Sequence, residues 1–224
     1  MHHRFVSLFG LLAFSMVITQ AHATGNDGAA CTHALHEAFA ASPNAAILPA
    51  PCRHIGPVAL GMRKDEVLAA LGQPDATRSD AKHPDTLRVM YLYPRDFKAQ
   101  LAQHPLPHLT LGCTRLAISF RNDRVINVNI FASVSVPLPF DLLGQPVGTH
   151  VDRILQAIGG HPFWNPSRDY VQFAAMPLSL EVDPDASAIV GLNIADTEND
   201  LQNFGMFNLD LLKDPKTGLI NGVR

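Results

Sequence analysis

Apolar residues along this chain recur at two different spacings, and the switches between them mark out its elements. From Met62 to Leu71 the positions Val67, Leu68 and Leu71 share one face of a helix, which Gly72 and Pro74 terminate. The same arrangement returns from Gly148 to Gly159, where Ile154, Leu155 and Ile158 take the equivalent apolar places and Asp152 repeats Asp65. Thr149 reads as the N-cap of that second helix, with Asp152 three residues on.

Period-two segments follow each helix. Leu87 to Tyr93 alternates and stops at Pro94, and Leu116–Arg121 and Val125–Phe131 flank the turn residues Asn122-Asp123 as a β-hairpin. Alternation puts Leu116, Ile118, Phe120, Ile126, Val128 and Ile130 on an inner face, and Ala117, Ser119, Arg121, Asn127, Asn129 and Phe131 on an outer one. In the second half Leu178, Leu180, Val182, Val190, Leu192 and Ile194 read as inner, around a turn at Asp183-Pro184-Asp185. Ser179, Glu181, Ile189, Gly191, Asn193 and Ala195 read as outer. Parity places Phe173 inward with Tyr170 and Gln172 outward, leaves Trp164 in a loop, and exposes Arg88, Met90 and Leu92, although Tyr91 and Tyr93 fit the outside equally well.

The expected fold is therefore α+β: two tandem repeats, each with its helix packed on one face of a small antiparallel sheet. The repeats occupy about 55–136 and 137–198, after an N-terminal helical segment at 24–54 and before a C-terminal arm at 199–224. Thr32 to Ala40 reads as a helix. The stretch from Pro94 to Gly112 reads as a long connection, and Leu201, Phe204, Phe207, Leu209 and Leu212 make the arm amphipathic.

The first residues suggest export. A short basic start, an apolar run from Phe5 to Ile18 and the small residues of Ala21-His22-Ala23 read as a signal peptide cleaved after Ala23. No cysteine lies where a lipid-attachment box would need one, so the expected place is the periplasm without stable membrane insertion. There the three cysteines become candidates for a bridge: Cys31–Cys52 is preferred, and Cys52–Cys113 is the rival. Seventeen Lys and Arg against 20 Asp and Glu give a formal charge of −3, and loss of Arg4 leaves the exported chain slightly more acidic. No basic cluster points to nucleic acid.

The chain carries no nucleophile elbow, no zinc-protease helix, no phosphate loop and no dinucleotide fingerprint. Cys31, His33 and His36 share a helical face, and His104 with His108 has similar spacing, but a structural zinc needs more convergent ligands. We expect no enzyme activity, no cofactor and no metal. The uncovered outer faces instead suggest a protein-binding surface, with Arg121, Asn127, Asn129, Phe131, Tyr170, Glu181 and Asn193 as contacts.

The run Leu60-Gly-Met-Arg-Lys-Asp-Glu-Val67 through Leu71-Gly-Gln-Pro74, followed by a Tyr-bearing strand and Leu116–Val125, resembles the BamE-like modules of outer-membrane assembly lipoproteins. In tandem, such units resemble the β-lactamase-inhibitor proteins, whose two related α/β units grip an enzyme on a concave sheet. The resemblance implies a binder that occludes an envelope-acting enzyme or toxin, as an inhibitor or immunity factor. The alternative it implies is an accessory protein of envelope biogenesis.

Overall fold

The computed structural model describes residues 26–79, 84–103, 113–133, 136, 138 and 140–202. The expected leader, His104, His108 and the arm beyond 202 lie outside them. Among the described residues no helix is long and apolar enough to cross a membrane.

The fold is α+β, organised on one large antiparallel sheet. Helix α1 (Asn26–Ala41), a 3-10 turn (Ala50–Cys52) and a short hairpin, β1 (His54–Ile55) with β2 (Val58–Ala59), precede α2 (Lys64–Leu71). Then come β3 (Ala76–Ser79), β4 (Thr86–Tyr93), α3 (Phe97–Gln103), β5 (Thr114–Arg121) and β6 (Arg124–Phe131). After α4 (Val151–Ile158) the chain forms β7 (Pro162–Trp164), β8 (Tyr170–Phe173), β9 (Leu178–Asp183), β10 (Ala188–Ala195) and α5 (Glu198–Gln202). Strand order is β3-β4-β5-β6-β10-β9-β8-β7, so two four-strand meanders join at a β6–β10 seam.

Both main helices end where sequence places the end. Gly72 and Gly159 adopt φ of 76° and 70°, and their N–H groups donate to Leu68 and Leu155. Glycine tolerates that left-handed backbone without a side-chain clash. The starts differ from expectation. The Arg63 N–H donates to the Glu66 carboxylate at the head of α2 (2.7 Å), and α4 is capped by His150, whose Nδ1 accepts from the Asp152 N–H (3.3 Å). Thr149 lies one residue too early, and its hydroxyl donates to the Pro146 carbonyl instead.

The main core lies on one side of the sheet. Leu35 and Phe39 of α1, Val67 of α2, and Val151, Ile154 and Ile158 of α4 pack over Val89, Tyr91, Leu116, Ile118, Val128, Ile130, Leu180 and Ile194. Phe39 stacks on Phe173, with ring centroids 5.3 Å apart. A Cys31–Cys52 disulfide ties α1 to the 3-10 turn, and Cys113 remains a buried free thiol. Cys31 is thereby unavailable as a metal ligand.

Two bulges overturn the alternation read from sequence. In β6, Asn127 pairs with Ser119 and Val125 with Phe120, which leaves Ile126 as an extra residue. In β10, Gly191 pairs with Glu181 and Ile189 with Val182, which leaves Val190 extra. Beyond an inserted residue every side chain changes sides. Val125 and Ile189 therefore belong to the main core, whereas Ile126 and Val190 do not.

Candidate functional site

The reverse side of the sheet carries polar residues in rows, because directly paired residues on neighbouring strands face the same way. One row crosses all eight strands: Ala76, Met90, Ala117, Asn129, Asn193, Ser179, Gln172 and Phe163. A second runs Leu92, Arg115, Phe131, Gly191, Glu181 and Tyr170. Both pass through the β6–β10 seam.

At that seam the side chains bond to one another. Asn127 Nδ2 donates to Asn193 Oδ1 (2.7 Å) and to the Ile194 carbonyl (3.1 Å). Asn129 Nδ2 donates to Glu181 Oε1 (3.1 Å), reaching from β6 over β10 to β9. Gly191 lies on the strand between them and makes this reach possible. A Cβ there would come within 2.8 Å of both Glu181 Cβ and the Ile130 carbonyl oxygen. Gly191→Ala should therefore lower stability by about 1–3 kcal/mol through overpacking. Thermal unfolding will check it, and an unchanged midpoint would show that the row has slack.

Glu181 is 2% exposed, and its Oε2 has no hydrogen-bond partner. Burial pushes its carboxyl up to about 7, against the opposing pull of the Asn129 hydrogen bond and the Arg115 charge. Arg115, also buried, lies 4.5 Å from the centroid of the Phe131 ring, with Nη1 unbonded.

The expectation of an open sheet face is corrected by these burials. Asn127, Asn129, Glu181 and Asn193 are buried, as are Met90 and Leu92, while Arg121, Phe131 and Tyr170 are half-buried. Part of the cover is α5, which packs against β6, β9 and β10 and buries Leu201. Arg121 donates to the buried Asp200 of α5 (2.9 Å) and approaches Asp85 (3.5 Å). Alternation reports which side a residue faces, and it is silent about what lies on that side.

Solvent reaches the polar rows at the β7–β8 end. Phe163, 59% exposed, sits on the edge strand beside half-buried Gln172, and Tyr170 shares that face. Trp164 is in β7 rather than a loop. It packs against the core, with the Arg168 guanidinium 4.6 Å from its ring centroid. Asp169 accepts from Asn165 (2.5 Å) and Ser167 (2.8 Å), which holds the β7–β8 turn and lowers its carboxyl below the usual range. Sequence reading missed Arg115, Gly191 and Phe163. The detectable signal was Gly191, since a glycine inside a strand often marks a close approach.

Among the described residues no three His, Cys, Asp or Glu side chains gather as a metal site. No protein-family model matches this chain, and neither does any curated protein. Solved structures similar to it include two secreted proteins. One is a cysteine-rich secretory protein from Staphylococcus aureus, at 8% identity and TM-score 0.38, covering 62% of this chain and 45% of that one. The other is an extracellular protein with an SCP domain from Bacillus anthracis, at 14% identity and TM-score 0.38, covering 68% and 51%. This chain thus spans about half the length of each. These are SCP-type proteins, not BamE-like or β-lactamase-inhibitor modules, and the resemblance drawn from sequence is corrected accordingly. Its residues Gly61, Gly72, Pro74 and Asn122-Asp123 punctuate helices and turns, a task common to many helix-and-hairpin units.

Proposed function

We propose that this is a non-enzymatic protein-binding protein of the inhibitor or immunity type, working in the periplasm after cleavage of its leader. Its partner is an envelope enzyme or toxin, docked at the β7–β8 end of the sheet. The observation that carries this reading is Phe163: a large aromatic, well exposed on an edge strand, with Tyr170 and Gln172 on the same face. Aromatic side chains of this kind dominate binding energy where a partner covers them. Strand addition at this edge is disfavoured, because Pro162 has no N–H to offer, so side chains make the contact. The disulfide suits an oxidising compartment.

We also read the chain as two tandem copies of one helix-and-four-strand unit. Paired hydrogen bonds support this. Gly61 N–H donates to the Val125 carbonyl and Val125 N–H to Met62, as Gly148 does to Ile189 and Ile189 to Thr149. Lys64 donates to Asp123 as Val151 does to Ser187. Ala132 donates to the bulge residue Val190, and Asp196 to the bulge residue Ile126. Equivalent residues Asn129 and Asn193 meet each other at the seam.

The test is capture from envelope extract by the exported form and by its Phe163→Asp variant. A specific protein retained by the first, and at least tenfold less by the second at equal thermal stability, supports the docking site. Equal capture by both overturns its placement, and capture of nothing specific by either overturns the binding role.

A further inference from the structure

We propose that Glu181 is a proton-operated latch on the β6–β10 seam: neutral, it closes the reverse side of the sheet, and on ionising it admits water there and loosens the seam locally. The geometry carries this independently of any docking at Phe163. The Glu181 carboxyl lies over Gly191, spans β10 through its bond from Asn129, and keeps one oxygen without a partner in a site nearly closed to solvent. A neutral carboxyl tolerates such a site with one good hydrogen bond. A carboxylate requires its second oxygen to be solvated or paired, which the closed arrangement does not provide.

Among the described residues the charged and titratable neighbours are few. From β5, Arg115 attracts a carboxylate. From the β7–β8 turn Asp169 repels it, and Tyr170 stands opposite on β8. Strands β6 and β10 present Asn127, Asn129, Phe131, Gly191 and Asn193 on this side, none of them titratable. Helix α5, packed on β9, brings Glu198 and Asp200, the latter already engaged by Arg121. Among the described residues Arg115 is the positive charge that acts on Glu181, and Phe131 and Gly191 lie between the two along the row.

Native-state hydrogen exchange, corrected for the intrinsic pH dependence of amide exchange, tests the latch. Protection of the Gly191, Asn193 and Glu181 amides should fall by roughly one to two orders of magnitude between pH 5 and pH 8. Amides of α2 and α4 that exchange through local openings leaving the seam closed should change much less. In Glu181→Gln the seam amides should keep the same protection at both pH values. Arg115→Met removes the attraction for the carboxylate, so the midpoint of the loss should move to higher pH. A fall spread equally over the seam and those locally opening helix amides overturns the local latch. So does a seam response that persists in Glu181→Gln. Should that variant fail to fold, an unmoved midpoint in Arg115→Met overturns it as well.

Discussion

Glu181→Gln is expected to make the protein more stable than the parent at pH 8 by about 3 kcal/mol, and to leave it within about 1 kcal/mol below pH 4.5. The cause is burial. The carboxyl is held near 7 in the folded protein against an ordinary value of 4.5. Between those values the folded chain keeps a proton that the unfolded chain has released, so stability falls as pH rises through this window and levels off above it. At about 1.4 kcal/mol per pH unit, that interval corresponds to about 3 kcal/mol. Glutamine keeps an acceptor for Asn129 and never ionises. Urea midpoints at pH 4.5, 6 and 8 read the effect: the two proteins should diverge with pH, and parallel curves would contradict a neutral buried carboxyl.

Removing the disulfide as Cys31→Ala with Cys52→Ala should lower stability by roughly 3 kcal/mol, from the loss of loop closure over 21 residues. Both cysteines are buried, and α1 contributes Leu35 and Phe39 to the main core, so the bridge fastens a helix that the core depends on. Unfolding of the parent in reducing agent should reproduce most of the loss, whereas the double variant should be insensitive to the reductant. A parent that unfolds at the same denaturant concentration with and without reductant would show that packing alone seats α1.

Several elements were legible because their causes are local. Val67 and Ile154 mark their helix faces by spacing, and both are buried. Asn122 and Asp123 adopt φ of 51° and 57°, the paired left-handed backbone that a tight hairpin turn requires. The Cys31–Cys52 pairing, preferred from sequence with Cys52–Cys113 left as the rival, is present. Edge strands were harder: β3 and β7 are four and three residues long, too short for alternation to show. Helix α3 occupies a stretch that read as connection, since its Phe97–Gln103 sequence has little apolar periodicity.

The proposed contact set was least legible. Asn127, Asn129, Glu181 and Asn193 share one side of the sheet as alternation implies, but they bond to one another and lie buried. Polarity alone cannot separate a solvated face from an internal network, because each satisfies the same donors and acceptors by different partners.

By itself the amino-acid order determined where helices stop and where hairpins turn, since neighbouring residues settle those questions. Tertiary structure alone decided that the strands merge into one eight-stranded sheet, that Ile126 and Val190 bulge and swap sides with their neighbours, and that the polar rows are enclosed. The reason is physical. Register and cover depend on pairing between segments distant along the chain, and no local pattern of hydrophobicity encodes them.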